Sequence, residues 1–246
     1  MKLLVCISKV PDTTSKISFV ENDTKFNEQG VQFIVNPADE WYALVRAIEL
    51  KEKNGGTVTT VTVGPAADDQ IIRKALAIGA DDAVRINTEA KDALSVAKEI
   101  ANYAKAENFD IVFAGKETID YNGSQVPGMI AELLDLPFVS LATKLDIEGN
   151  TATLETDIPG GTQVVSVATP FVVSASKGMA DARIPNMRGI MAARTKPLKV
   201  VESTVNSPAT EITTFSLPPA KSGCKYVDAD NVEQLIDLLH NEAKVI

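Results

Sequence analysis

The amino-acid sequence predicts an α/β protein built on a mostly parallel, doubly wound sheet. Short apolar runs without a helical period alternate with longer amphipathic segments, and turn residues separate the two kinds of segment. Buried parallel strands and the helices that cover them produce this alternation. With 246 residues, 45% of them hydrophobic, the chain is long enough for one large core or two small ones.

Capping and turn signals support the elements of the first half. Asn36-Pro37 and Gly64-Pro65 place a proline at the first position of two helices, and Gly55 and Gly79 mark the ends of these helices. The predicted strands are Lys2 to Ile7, Val31 to Val35, Thr57 to Val63, Ala83 to Ile86 and Asp110 to Ala114. The predicted helices are Pro37 to Lys53, Pro65 to Ile78, Asp92 to Glu107 and one that ends near Leu134.

After Pro137 the pattern changes to strands joined by tight turns. The sequence predicts antiparallel strands at Thr143 to Ile147, Thr151 to Thr156, Gln163 to Ala168 and Phe171 to Ala175. A loop from Ser176 to Asn186 and a short helical segment from Met187 to Arg194 follow. Because no Ser/Gly/Pro-rich linker interrupts these segments, we predict that residues 1–201 form one α/β nucleotide-binding domain with antiparallel additions.

The last 45 residues predict an extended arm. Prolines and weak periodicity mark the stretch from Glu202 to Asp228, and an amphipathic helix is predicted from Asp230 to Asn241. A segment with so little core of its own is expected to lie on another protein surface. We therefore predict that residues 202–246 form a C-terminal arm and helix that pack on a partner subunit.

Composition excludes several functions. A net charge of −9 opposes binding to nucleic acid. The apolar N-terminal run is too short for a signal peptide or a membrane span, so we expect a cytoplasmic protein without membrane insertion. Cys6 and Cys224 lack metal-ligand spacing, so we expect free thiols and no metal site. The single histidine, His240, lies in the C-terminal helix, which disfavours Ser-His-Asp and Cys-His catalysis and leaves no catalytic residue to assign.

The segment between Gly115 and Gly128 is the best candidate for a ligand site. It follows a buried strand and leads into a helix, and Gly115 and Gly123 flank polar residues. With Ser124 as a helix N-cap, the backbone N–H groups of this loop could surround a phosphate. An ordinary strand-to-helix loop explains the same pattern equally well. The sequence contains no G-x-x-x-x-G-K-[ST] loop and no G-x-G-x-x-G after the first strand, which disfavours P-loop ATPases and hydride-transfer dehydrogenases.

Five segments, in the same order, resemble the electron transfer flavoprotein β (small) subunit family. They are Val5-Cys6-Ile7-Ser8-Lys9-Val10-Pro11-Asp12; Asn36-Pro37 with the acidic helix after it; Gly64-Pro65 followed by Ile72 to Asp81; Gly115-Lys116-x-x-Ile119-Asp120; and Asp157-Ile158-Pro159-Gly160-Gly161 leading to Pro170-Phe171-Val172-Val173. The resemblance covers nearly the whole chain. It implies a Rossmann-like sheet of the adenine-nucleotide-hydrolase type.

The resemblance also implies a function and its residues. It implies a heterodimer with an α subunit that carries most of an FAD site, electron transfer from acyl-CoA or other dehydrogenases to a quinone-linked oxidoreductase or similar acceptor, and no catalysis by this chain alone. It implies that an exposed aliphatic before a Pro-Asn pair, here Ile184 before Pro185 and Asn186, docks the dehydrogenase. An AMP would contact Cys6, Asn36, Val63, Gly115, Lys116, Glu117, Thr118, Ile119, Asp120, Tyr121, Asn122, Gly123, Ser124, Gln125 and Val126.

Some positions depart from the family pattern. Gln125-Val126 resembles the electron-bifurcating branch, in which this pocket takes a second FAD, but Tyr121 replaces a glycine and is expected to obstruct that larger ligand. AMP is therefore preferred, with a second FAD as the alternative. Thr13 and Ala38 stand where the family often places aromatics beside the flavin, so the sequence predicts no aromatic stacking on the flavin from these two positions.

Two other classes of protein remain as alternatives. A regulatory adenine-nucleotide-binding protein resembling universal stress proteins would form a self-sufficient homodimer, for which the long arm and the Ile184 loop have no evident use. An adenylating or sulfur-transferring enzyme would turn over ATP alone, and the missing phosphate-loop signature opposes it.

Overall fold

A nine-stranded sheet dominates the computed structural model, which describes residues 1–205, 207–221 and 223–246. The strands of the chain are β1 (Lys2–Cys6), β2 (Lys9–Pro11), β3 (Phe19–Val20), β4 (Lys25–Phe26), β5 (Phe33–Val35), β6 (Thr57–Val63), β7 (Asp82–Asn87), β8 (Ile111–Gly115), β9 (Phe138–Glu148), β10 (Thr151–Ile158), β11 (Gly161–Ala168), β12 (Phe171–Ala175) and β13 (Leu198–Glu202). The large sheet has the order β11-β10-β9-β12-β8-β1-β6-β7-β13.

Most pairings in this sheet are parallel, as the sequence predicts. β1 lies between β6 and β8 and is parallel to both. The antiparallel pairs of this sheet lie at one edge, where β9 pairs with β10 and β10 pairs with β11. The predicted α/β fold class is therefore confirmed, and so are the antiparallel additions.

Helices cover both faces of the sheet. They are α1 (Asp39–Asn54), α2 (Asp69–Ile78), α3 (Ala93–Glu107), α4 (Val126–Leu134), α5 (Met187–Ala193) and α6 (Val232–Asp237), with a 3-10 turn at Ala66–Asp68 and a wider helical turn at Leu238–Ala243. One apolar cluster includes α1 and α2 on one face, and a second includes α3 and α4 on the other. Among the described residues, no helix has the length and apolar character that a membrane span requires.

Three predictions about these elements are wrong in detail. Phe171–Ala175 was predicted to be antiparallel, but β12 inserts between β8 and β9 and runs parallel to both, because its five buried residues fill the centre of the sheet. Pro37 precedes α1 by two residues, and Ala38 at φ 62° is the N-cap. Pro65 caps the 3-10 turn that precedes α2. The helix ends at Gly55 and Gly79 are confirmed.

The start of the C-terminal segment lies along α3 instead of leaving the domain at once. Both carboxylate oxygens of Glu99 accept hydrogen bonds from the 203–205 segment, including those from the backbone N–H groups of Thr204 and Val205 at 3.0 Å. Asp92 accepts hydrogen bonds from the N–H groups of Ala209 and Thr210. Further on, Phe215 stacks on Phe19 of β3 with 4.9 Å between ring centroids. The predicted amphipathic C-terminal helix is present as α6 and the turn after it, without a buried residue.

Candidate functional site

The strand order predicts a ligand-binding crevice at the carboxyl edge of the sheet. The chain passes from β1 to β6 on one side and later returns to β8 on the other, so the connections from β1 and β8 lead away in opposite directions. Open α/β sheets bind ligands at such a switch point. Cys6, Val63 and Gly115 are the last residues of β1, β6 and β8 and therefore lie at this edge.

The loop between β8 and α4 offers free backbone donors. The N–H groups of Gly123, Ser124, Gln125 and Val126 find no acceptor within the described residues. Asn122 and Ser124 adopt left-handed conformations, φ 48° and 51°, which are uncommon for residues other than glycine and often mark functional loops. Added to the N-terminal end of α4, these donors form an arrangement suited to an anion such as phosphate.

Ser124 does not cap α4. Gln125 occupies the N-cap position without a side-chain hydrogen bond, and the Ser124 hydroxyl donates to the Glu117 carboxylate at 2.9 Å. The predicted cap is wrong because this bond closes the loop on itself, with the Asn122 N–H donating to the Thr118 carbonyl at 2.9 Å. The first turn of α4 is consequently left without a side-chain partner, which keeps its N–H groups available.

Asn36 fixes the start of this loop from below. Its side chain is fully buried, donates to the Glu117 carbonyl at 2.8 Å and accepts from the Ile119 N–H at 3.1 Å. Both polar atoms of the side chain therefore have partners in the loop backbone. At the candidate site, the side chain of Asn36 therefore binds the loop backbone.

Glu40 is the main residue at this site that the sequence analysis missed. Its side chain is buried under the crevice, and its two oxygens accept hydrogen bonds from the Ser8 N–H and the Ser8 hydroxyl, both at 2.6 Å. Burial raises the pKa of Glu40 to about 8. Two nearby carboxylates, Asp120 and to a lesser extent Asp39, raise it further. An acidic residue in the first turn of a helix ordinarily predicts only a dipole interaction, so the sequence carried no signal for this role.

The other predicted residues lie around the crevice with different exposure. Cys6 is buried, and burial together with Glu40 raises the pKa of its thiol. Lys116 and Glu117 form an ion pair at 3.6 Å at the start of the loop. Tyr121, in the same loop, is 65% exposed. Thr13 is exposed, and Ala38, in its left-handed conformation, joins Asn36 to α1.

The predicted docking loop lies apart from the crevice. Ile184 is 83% exposed, and the Asn186 side chain caps α5 by accepting from the Gly189 N–H at 2.9 Å. Met187, which was predicted only as a helical residue, follows them and is 71% exposed. The residue before Ile184 holds the loop, because Arg183 forms two hydrogen bonds with Glu52 of α1, at 2.8 and 3.0 Å.

Fold and loop together define an α/β protein of the kind that binds ligands at the carboxyl edge of its sheet, with a loop there that presents backbone donors. Comparison with known proteins identifies the class further. Residues 23–206 match the model of the electron transfer flavoprotein domain. The electron transfer flavoprotein subunit beta of Bacillus subtilis (strain 168) is 38% identical over the full length of both chains, and that of Syntrophomonas wolfei is 38% identical over all of this chain and 98% of its own. The acryloyl-CoA reductase electron transfer subunit gamma of Anaerotignum propionicum is 29% identical, over 97% of this chain and 98% of its own.

The chain belongs to the electron transfer flavoprotein family, as a beta subunit. It is an electron-carrier subunit of a heterodimeric flavoprotein, paired with an alpha subunit, and not an enzyme in its own right. In such proteins the flavin supplies the redox chemistry, and the polypeptide binds, positions and tunes it.

Proposed function

We propose that the chain accepts electrons from acyl-CoA or other dehydrogenases and passes them, through an FAD shared with the alpha subunit, to a quinone-linked oxidoreductase or similar acceptor. The observation that carries this proposal is Ile184, an aliphatic side chain held in solvent by an anchored loop. Exposed apolar residues on a fixed support are suited to transient docking. Pro185 and Asn186 shape the loop, and Met187 enlarges its apolar surface.

An AMP is the proposed ligand of the crevice. The N–H groups at residues 123–126 would hold its phosphate. Lys116 is the basic residue of the same loop and would supply a positive charge for the phosphate. Cys6 and Val63 would form the floor under the nucleotide at the strand ends, and Asn36 would support the loop from below. The remaining loop residues, Glu117, Thr118, Ile119, Asp120, Tyr121, Asn122, Gly123, Ser124, Gln125 and Val126, would form the wall.

A second FAD in this pocket is the alternative. The sequence predicts that Tyr121 obstructs a larger nucleotide. Its side chain is mostly exposed to solvent, however, so it gives only weak evidence against a second FAD. The loop also leaves open space at Gly123, where an added Cβ would meet no atom within 4 Å. We keep AMP as the first choice, because the unpaired donors are concentrated at one end of one loop and match a single phosphate.

The arm beyond the Phe215 stack is proposed to pack on the alpha subunit. α6 has no buried residue, and the exposed apolar side chains of this segment are Leu217, Tyr226, Val232, Leu235, Ile236, Val245 and Ile246. So many exposed apolar residues in one segment favour a protein partner. Truncation after Glu202 should therefore leave the sheet folded and reduce co-purification with the alpha subunit; full co-purification would contradict this proposal.

Nucleotide content tests the cofactor assignment. The heterodimer is co-expressed and purified, then denatured, and the released nucleotides are identified by mass spectrometry and absorbance. One FAD and one AMP per heterodimer would support the proposal. Two FAD without AMP would establish the alternative, and FAD without any second nucleotide would show that the crevice holds neither.

Docking is tested by replacing the exposed aliphatic. Ile184→Ser should slow electron transfer from a reduced acyl-CoA dehydrogenase by about tenfold or more, the loss typical of a docking anchor, without a change in the unfolding midpoint. Val164→Ser is the matched control, since Val164 is also mostly exposed but lies on the edge strand β11. Equal rates for the two variants would exclude Ile184 as the docking residue.

A further inference from the structure

Glu40 connects the two walls of the crevice. On one side its carboxylate takes both hydrogen bonds that Ser8 can donate, from the N–H and from the hydroxyl, just after β1. On the other side its methylene groups touch the end of β8, because a Cβ added at Gly115 would lie 2.8 Å from Glu40 Cγ. One side chain from the first turn of α1 therefore fixes the Ser8 segment relative to the start of the 116–126 loop.

The contact with Gly115 makes this connection rigid. An added Cβ there would also lie 3.0 Å from the Glu40 backbone nitrogen and 3.0 Å from Asp39 Cβ, distances that ordinary side chains hardly ever show. Only a glycine permits α1 to approach β8 so closely. A change at Glu40 is consequently transmitted directly to the backbone that begins the anion-binding loop.

The surroundings of Glu40 are mostly acidic. Cys6 faces it from β1, Asp120 from the loop and Asp39 from its own helix. Lys116 and Glu117 lie close to Asp39, whose own pKa burial raises. A protonated Glu40 can donate to the Ser8 hydroxyl while its other oxygen accepts the Ser8 N–H. An ionised Glu40 adds a negative charge beneath a site that presents donors to an anion.

We propose that Glu40 is a positioning residue for the nucleotide in the crevice, holding Ser8 and Gly115 in place, and that a negatively charged nucleotide binds preferentially when Glu40 is neutral. This inference rests on the proposed nucleotide site. It assigns Glu40 no contact with the ligand; Glu40 acts through Ser8 and through the 116–126 loop.

The test is the pH dependence of AMP affinity. The heterodimer, freed of AMP by unfolding and refolding without nucleotide, is titrated with AMP by calorimetry between pH 7 and pH 9.5, where the phosphate charge of AMP is nearly constant because its second pKa is about 6. For the wild type, the affinity should fall as pH rises through about 8, approaching tenfold per pH unit. Glu40→Gln can still accept from the Ser8 N–H and donate to its hydroxyl, but it cannot ionise, so its affinity should stay constant.

Two further variants separate positioning from charge alone. Glu40→Ala removes both bonds to Ser8 and, like Glu40→Gln, cannot ionise, so we expect it to bind AMP about tenfold more weakly than Glu40→Gln at every pH. Glu132→Gln is the control, since it removes an exposed carboxylate on α4 without a described partner and should keep the wild-type pH slope. A wild-type affinity independent of pH, or a Gln variant with the same slope as the wild type, would overturn the proposal.

Failure of the nucleotide assignment is recognised separately. If the wild-type heterodimer binds no AMP at any pH, the proposed ligand is wrong, and hydrogen exchange then decides the role of Glu40. Glu40→Ala should speed exchange in peptides covering 8–14 and 116–126 by about tenfold relative to Glu40→Gln. Equal exchange in the two variants would show that Glu40 does not position these segments.

Discussion

Buried polar side chains behind the crevice have partners that explain why they are buried. Asn36 and Glu40 both come from the short connection between β5 and the first turn of α1, and both bond to segments that form the walls of the crevice. A buried amide or carboxyl group is costly without hydrogen bonds, so these side chains stabilise the walls only in one arrangement. The site is therefore organised from beneath by residues that a ligand need not touch.

Asn36→Ala tests this organisation. The change leaves the Glu117 carbonyl and the Ile119 N–H without their partner, and we expect the free energy of unfolding to fall by about 1–3 kcal/mol. It should also speed hydrogen exchange at Ile119. Urea denaturation measures the first effect, with Asn54→Ala, in an exposed last turn of α1, as the control. A loss no greater than that of the control would mean that the loop holds its conformation without Asn36.

At this scale the sequence predicted where these residues lie in the fold but not which residues they contact. The family resemblance assigned Cys6, Val63 and Gly115 to the site, and each ends a strand of the parallel sheet, so all three lie at the same edge. The contact of Asn36 with Glu117 spans 81 residues and that of Glu40 with Ser8 spans 32, so no local pattern revealed them. Both depend on the order in which strands join the sheet.

Among the elements, the docking loop is notable for how it is held. Arg183 reaches α1 with a two-pronged ion pair to Glu52, and its carbonyl accepts from the indole N–H of Trp41 at 3.2 Å. The side chain of Ile184 next to it remains in solvent. An anchored loop loses little conformational freedom when it binds, which favours rapid, transient docking.

Arg183→Lys should weaken docking without weakening the fold. Lysine cannot form the two-pronged contact with Glu52, and the pair is largely exposed, so we expect the unfolding free energy to change by less than about 1 kcal/mol. The rate of electron transfer from a reduced dehydrogenase should fall by roughly two- to tenfold, the cost of ordering a freed loop. Stopped-flow measurement of flavin reduction gives this rate.

The charge-swapped double variant, Arg183→Glu with Glu52→Arg, is the matched control for this prediction. It keeps an ion pair between the same two positions and should restore most of the rate. If Arg183→Lys docks as fast as the wild type, or if the swap restores nothing while the protein stays folded, the ion pair is not what positions the loop.

Element types were predicted better than element partners. The apolar runs of β1, β6, β8 and β12 could be identified because each is buried on both faces. The direction of β12 could not, since its close spacing to β11 suggested a hairpin. β13 was missed because only its pairing with β7, more than a hundred residues away in the chain, makes it a strand.

At the scale of the whole molecule, the start of the arm crosses the carboxyl edge of the sheet. Val205 and Pro208 share a small polar pocket of about 90 Å³ with Val63 of β6 and Glu99 of α3. The Phe215 stack then attaches the arm to the hairpin formed by β3 and β4. The segment proposed to pack on the alpha subunit thus begins next to the proposed nucleotide site. The attached part of the arm therefore connects the crevice to the surface that is proposed to bind the partner.

Acid should release this arm. Hydrogen bonds from Ser95 and from the arm lower the pKa of Asp92. For Glu99, burial alone would raise the pKa, but the hydrogen bonds from Ser203, Thr204 and Val205 outweigh burial, and the net effect is a lowered pKa. Carboxylates with lowered pKa values stabilise the attached arm fully above their ordinary pKa of about 4, and this contribution is lost as pH falls through the lowered values. Exchange of the amides at 203–205 and 209–210, corrected for intrinsic rate, should therefore accelerate below about pH 4, before the sheet unfolds.

Glu99→Gln should reproduce this release at neutral pH. The amide keeps the shape of the carboxylate but has one acceptor oxygen where the arm presents several donors, so we expect protection of Thr204 and Val205 to fall about tenfold at pH 7. Glu89→Gln, an exposed residue at the rim of the same pocket, should leave that protection unchanged. If the amides of Glu99→Gln are as protected as in the wild type, packing of the arm and not the Glu99 carboxylate holds the arm on α3. In that case the substitution should also leave co-purification with the alpha subunit unchanged.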